Sequence, residues 1–76
     1  MYISITLKLK EESFDIKVDD RQTIMSILEV LSKAGTYNGK NDIDFFKSKM
    51  NNKLISTYMT LNEQNILKGD HLTAIM

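Results

Sequence analysis

His71 is the single histidine of the chain, and cysteine is absent. Imidazole acid–base work would therefore fall on His71 with a carboxylate such as Asp70, which is too near in sequence to orient the ring reliably. A histidine on a surface strand is the expected reading. Asp15, Asp19 and Asp20 offer oxygens to a divalent cation, but strand alternation sends Asp15 and Asp19 to one face while Asp20 leads toward a helix. Solvation and helix-end electrostatics are their expected roles. Asn38, Asn41, Asp42 and Asp44 place further oxygens in a polar stretch, without the spacing or closing glutamate of a calcium loop. Glycine-rich phosphate loops and nucleophile elbows are missing, and no serine or threonine has the second histidine or lysine-centred motif that would activate it. No catalytic residue, metal or cofactor is expected: the chain reads as a binding protein, not an enzyme.

The elements that would carry a binding surface follow from hydrophobic periodicity. Met1, Ile3, Ile5, Leu7 and Leu9 alternate with Tyr2, Ser4, Thr6 and Lys8, which predicts a first strand with one buried face. A polar stretch, Lys10 to Ser13, then leads into Phe14, Ile16 and Val18, the buried side of a second strand. The period changes at Ile24, Ile27, Leu28, Leu31 and Ala34, which fall on one helix face, with Met25 and Val30 expected to widen the buried stripe. Thr23 is placed to cap the helix start, with Asp19 and Asp20 near its positive end, and Lys33 and Gly35 suit the other end. Gly35 to Asp42 reads as the principal loop. Phe46, Ser48 and Met50 alternate with Phe45, Lys47 and Lys49 before an Asn51-Asn52 turn and a short returning strand over Lys53 to Ser56. Thr60 to Asn62 is expected to start one helical turn anchored by Leu61 and Ile66. Lys68-Gly69-Asp70 then turns into a last strand with Leu72, Ala74 and Met76 on its inner side.

At 76 residues the chain fits one domain, 1–76, and most of its apolar residues must serve the core. Ten basic residues balance ten acidic ones, so no global field favours nucleic acid or an anionic membrane. The start lacks the pattern of a secretory signal, apolar runs are too short for a membrane span, and the absence of cysteine fits a reducing compartment. A cytoplasmic location without membrane insertion is expected.

The order strand, strand, helix, strand, short strand, turn, strand resembles the ubiquitin superfamily over nearly the whole chain. Thr60-Leu61-Asn62-Glu63-Gln64-Asn65-Ile66 is similar to the ubiquitin segment in which a Thr-Leu pair precedes a polar turn and a buried isoleucine. Thr23-Ile24 resembles the start of its central helix. The implied fold is α+β, a ubiquitin-like β-grasp with a mixed sheet of four to five strands packed on one helix. Within the superfamily, the Met1-Tyr2-Ile3 start and Ile66-Leu67-Lys68-Gly69-Asp70-His71-Leu72 are similar to the YukD/EsaB family. That resemblance implies a small cytosolic accessory or regulatory protein of type VII secretion machines in Gram-positive bacteria, working by noncovalent binding. Ser48 and Lys49 depart from it, standing where apolar strand residues are expected.

The outer sheet surface commonly receives partners in ubiquitin-like domains, and alternation places Phe45 and Ile75 there, opposite the core-facing Phe46, Ala74 and Met76. The expected protein-binding residues are Phe45, Lys47, Lys49, Thr73 and Ile75, with type VII secretion components as the implied partners. Lys47, Lys49 and Lys53 gather around the second hairpin, joined by Lys8 if the strands are ordered as in ubiquitin. Arginine and stacked aromatics are lacking there, so RNA is not favoured. Tyr37 is a further anchor, on the loop. Activation of a ubiquitin-like modifier requires a terminal glycine, whereas Ile75 and Met76 fall in a strand and Gly35, Gly39 and Gly69 in internal turns. Conjugation or sulfur transfer is therefore expected only if terminal glycines are lacking from the sequence, and a generic ubiquitin-like binding module is the other reading. The oligomeric state is left open.

Overall fold

The computed structural model describes residues 1–35 and 43–75. Alternation in β1 (Tyr2–Leu9) buries Ile3, Ile5, Leu7 and Leu9. A two-residue turn at Lys10 and Glu11 returns the chain as β2 (Glu12–Asp19), antiparallel to β1 with Leu9 opposite Glu12 and Tyr2 opposite Asp19. Lys10 has a φ of 54°, the left-handed conformation such a tight return requires. Met1 lies outside β1 and is exposed, unlike the inward position that alternation suggested. Its amine is held by carboxylates and its carbonyl by Asp20 N–H, so the side chain is left outside the core.

The helix α1 (Ile24–Lys33) buries Ile24, Ile27 and Leu28 and half-buries Leu31. Thr23 caps it as expected, its Oγ1 accepting from Ser26 N–H at 3.1 Å. Gly35, at φ 76°, takes the left-handed conformation just past the helix end, where Ala34 is exposed. The wide stripe does not form: Met25 is half-buried and Val30 is 60% exposed, because they sit about 90° and about 130° around the helix from the Ile24–Leu28–Leu31 line. No acidic residue occupies the first turn. Asp19 and Asp20 instead engage the terminal amine, at 3.5 and 3.2 Å.

After the helix come β3 (Phe45–Ser48), β4 (Lys53–Ser56) and β5 (His71–Ile75), giving one five-stranded sheet in the order β2-β1-β5-β3-β4. The central strand β5 runs parallel to β1 and antiparallel to β3, so the sheet is mixed. Asn52 takes a φ of 51° in the β3–β4 turn, whereas Met50 falls in that turn and is exposed instead of continuing the buried alternation. Leu61 and Ile66 are buried as expected, but the Thr60–Asn65 segment forms turns without a regular helical turn. It is locked by a capping pair: Glu63 accepts from Thr60 N–H and Oγ1, and Thr60 Oγ1 accepts from Glu63 N–H. The core runs between sheet and helix, with Leu7, Leu28, Phe46, Ile55, Leu61 and Leu72 among its fully buried side chains. Burying each contributes roughly 1.5–3 kcal/mol.

Candidate protein-binding surface

The strand order determines which side chains meet on the outer face. Lys8 of β1 is opposite Thr73 of β5, Thr73 is opposite Lys47 of β3, and Lys47 is opposite Leu54 of β4. One row across four strands therefore reads Lys8, Thr73, Lys47, Leu54. Two residues along, Ile75 is opposite Phe45, and Phe45 is opposite Ser56. In the other direction Thr6 is opposite His71, whose carbonyl accepts from Lys49 N–H at 2.9 Å. All five residues expected on a binding surface are exposed, and pairing brings Phe45 against Ile75 and Lys47 against Thr73.

Between the longer lysines, the short Thr73 leaves the floor of an open groove of about 530 Å³. It is lined by Lys8, Lys47, Lys49, Asn52, His71, Thr73 and Ile75. Lys8 joins it because β5 stands between β1 and β3. Lys53 does not: it is paired with buried Ser48 and so belongs to the opposite face from Lys47. Three lysines thus gather in one groove of a chain with zero formal net charge. Among the described residues, the salt bridges lie elsewhere, joining Met1 and Arg21 to Asp19 and Asp20. Leu54, 60% exposed, continues the apolar side formed by Phe45 at 46% and Ile75 at 45%. Leu54 was not among the expected site residues, although its place beside buried Ile55 in a four-residue strand was the available signal.

The groove is backed by a buried polar corner. Asp70 is fully buried and accepts from the Ser48 hydroxyl, from Met50 N–H at 3.0 Å and from His71 N–H at 2.8 Å. Ser48, the departure from an apolar pattern, is therefore a buried partner of Asp70, and its Oγ accepts in turn from Asn51 N–H at 3.1 Å. Asp70 accepts from the backbone N–H of His71, whose side chain is exposed, and among the described residues no carboxylate forms an ion pair with its imidazole. Gly69, at φ 85°, makes the turn that sends Asp70 inward and His71 outward, and its N–H donates to the Ser4 carbonyl at 2.7 Å.

The remaining polar candidates have structural partners. Asp15 accepts from Thr6 Oγ1 at 2.7 Å. Arg21 forks onto Asp19, with Nη2 to Oδ2 at 2.7 Å, and its side-chain and backbone N–H bonds hold the Asp19 carboxyl well below its usual range. The same contact raises Arg21. Tyr58 donates to Asp44 at 3.1 Å, which pushes its phenol up, and the Thr60 backbone and hydroxyl hold Glu63 down. Among the described residues, no group of three His, Asp or Glu side chains is placed to hold a metal. Tyr37, Asn38, Asn41 and Asp42 lie outside the described residues, as does Met76. No helix among the described residues is long and apolar enough to cross a membrane.

No family model and no curated protein matches the chain. Among solved structures, it is similar to the ubiquitin-like domain of the Arabidopsis thaliana protein At2g32350. The solution NMR structure of that domain has a TM-score of 0.75 and 18% identity, with 99% of this chain and 77% of that one covered. A second determination, combining evolutionary couplings with sparse NMR data, gives 0.66 and 20%, with 99% and 86% covered. With its five-stranded mixed sheet on one helix, the chain has the ubiquitin-like β-grasp fold.

Proposed function

We propose that this chain is a non-catalytic accessory or regulatory protein of a type VII secretion machine, acting in the cytoplasm by noncovalent docking through its outer sheet face. The observation that carries the docking reading is the clustering of Phe45, Lys47, Lys49, Thr73 and Ile75 on or beside adjacent strands, with exposed apolar groups beside lysines that form no salt bridge among the described residues. Solvated lysines alone are ordinary, but an apolar pair next to a cationic groove fits a protein partner, with the apolar contacts supplying affinity and the charges orientation. The secretion assignment rests on the resemblance of Met1-Tyr2-Ile3 and the Ile66–Leu72 segment to the YukD/EsaB family.

Affinity capture from a Gram-positive cell extract, at low and moderate salt, tests both parts. Wild-type protein should retain secretion-machine subunits, and Phe45→Ala with Ile75→Ser should lose them while keeping a cooperative unfolding transition. Retention of unrelated proteins through the same face would leave a general ubiquitin-like binding module and defeat the secretion assignment. Unchanged capture by folded Phe45→Ala/Ile75→Ser protein would remove the docking surface.

A further inference from the structure

The outer edge of β2 carries a pattern that is independent of the lysine groove. β2 is eight residues long, pairs with β1 without interruption from Glu12 to Asp19, and stands at the end of the sheet. It contains no proline and no bulge to discourage another strand. Its inward side chains are incompletely covered: Phe14 and Ile16 remain half-exposed while packing against the core. On the other face it carries Asp15 and Lys17, both exposed and two residues apart.

We infer that this edge pairs with the same edge of a second copy, antiparallel and centred on Ile16, giving a two-fold dimer with a continuous ten-stranded sheet. In antiparallel pairing, opposed residues share a face, and two-fold symmetry makes one residue its own partner. Centring on Ile16 sets Asp15 opposite Lys17 of the second copy, and Lys17 opposite its Asp15. On the inner face, Phe14 meets Val18 and Ile16 meets Ile16, covering the half-exposed apolar surface. The neighbouring registers are worse on charge. Centring on Asp15 opposes two aspartates. Centring on Lys17 opposes two lysines and sets Asp15 against Asp19. Centring on Phe14 leaves Asp15 against Ser13 and carries Lys17 past the strand end. In the favoured register Glu12 approaches Asp20 beyond the strand, where Asp20 is already turned to the terminal amine at 3.2 Å. Thr6 engages one oxygen of Asp15, leaving the other for the lysine.

Charge excludes the registers centred on Asp15 and Lys17, and strand overlap disfavours the one centred on Val18, which sets Lys17 against Asp19 but pairs only residues 17–19 of β2; charge exchange tests the choice. Sedimentation of wild-type protein from micromolar to millimolar concentration should reveal a reversible dimer. Asp15→Lys and Lys17→Asp should each raise its dissociation constant about tenfold or more, since two cross-strand attractions become repulsions. An equimolar mixture of these two variants should dimerise again. The lysine introduced in one then faces the aspartate introduced in the other, and the unaltered Lys17 and Asp15 still face each other. Circular dichroism and cooperative melting identify a variant that fails to fold, in which case Asp15→Asn and Lys17→Gln, each weakening the dimer less, replace it. A wild-type monomer throughout the concentration range overturns the inference. So does a dimer that survives both single exchanges, or a mixture that stays monomeric. These outcomes leave the docking reading untouched, because its residues Phe45, Lys47, Thr73 and Ile75 lie on β3 and β5, and β1 stands between β5 and the β2 edge.

Discussion

Two sides of one strand pair treat polar groups in opposite ways. Where β3 and the turn into β5 face inward, Ser48 and Asp70 are sealed from water and each finds its partners; no buried side-chain nitrogen or oxygen among the described residues lacks one. Where the same strands face outward, Lys47, Lys49 and His71 line an open groove, with the salt bridges of the described chain gathered elsewhere. The inner arrangement suits folding, since an unsatisfied buried group costs far more than a made bond returns. The outer one has no such pressure, because solvated cations cost little when left unpaired. Lysines without a salt bridge among the described residues are available to an external partner.

The strongest way to break this contrast is at Asp70. Replacement by alanine strands the Ser48 hydroxyl and the Met50 and His71 N–H groups, and should lower stability by about 3 kcal/mol. For a domain of this size that is a fall of roughly 15 °C in melting temperature. Asp70→Asn keeps the shape and one acceptor, and should cost less than the alanine change. If thermal melts of Asp70→Ala match wild type, the inner corner is not a stability element and the contrast collapses.

Gly69 joins the two sides. At φ 85° it lies in the left-handed region, and nothing stands within 4 Å of a Cβ placed there. Gly69→Ala should therefore cost about 1 kcal/mol from backbone strain alone, without a clash. A urea midpoint shifted by much more would mean that the turn is tighter than its surroundings indicate. The outer face should respond least: Lys8→Glu with Lys47→Glu should change stability by no more than about 0.5 kcal/mol, while reversing the charge presented to a partner. A large loss of stability from that pair would make the lysines structural and remove the reason for separating the faces.

The uneven legibility of the sequence follows from the same division. Ile3, Ile5, Leu7 and Leu9, or Ile24, Ile27 and Leu28, announce their elements because burial imposes a period on apolar residues alone. The groove was half-readable: Phe45, Lys47, Thr73 and Ile75 could be placed on one face by alternation, but the strand order that adds Lys8 is a long-range fact, and Lys53 is excluded by the hairpin register that pairs it with Ser48. Asp70 and Ser48 were opaque for another reason. A polar residue in an apolar pattern reads as a departure until its partner is known, and here the partner lies 22 residues away. Val30 shows the reverse error, an apolar residue near the stripe that tertiary packing leaves in water.

A third kind of charge, exposed but paired, gives the smallest expected effect and the finest test. Asp19 and Glu63 have ordinary values of 3.8 and 4.5, and both are held lower in the folded chain: Asp19 chiefly by Arg21, Glu63 chiefly by the Thr60 N–H. A carboxyl depressed on folding binds fewer protons in the native state, so its contribution is present above its unfolded value and lost as pH falls through the folded one. The urea midpoint should thus be flat near neutrality and begin to decline below about pH 4.5 as Glu63 and then Asp19 lose their advantage. Asp19→Asn should flatten the lower part of that decline, and Glu63→Gln the upper part. Lys8→Gln and Lys47→Gln should leave its shape unchanged, because Asp19 and Glu63 are held by Arg21 and Thr60 and not by the groove lysines. An acid decline unaffected by Asp19→Asn and Glu63→Gln would place the linked protons on other carboxyls, and would reduce the exposed pairs to the same thermodynamic silence as the lysine groove.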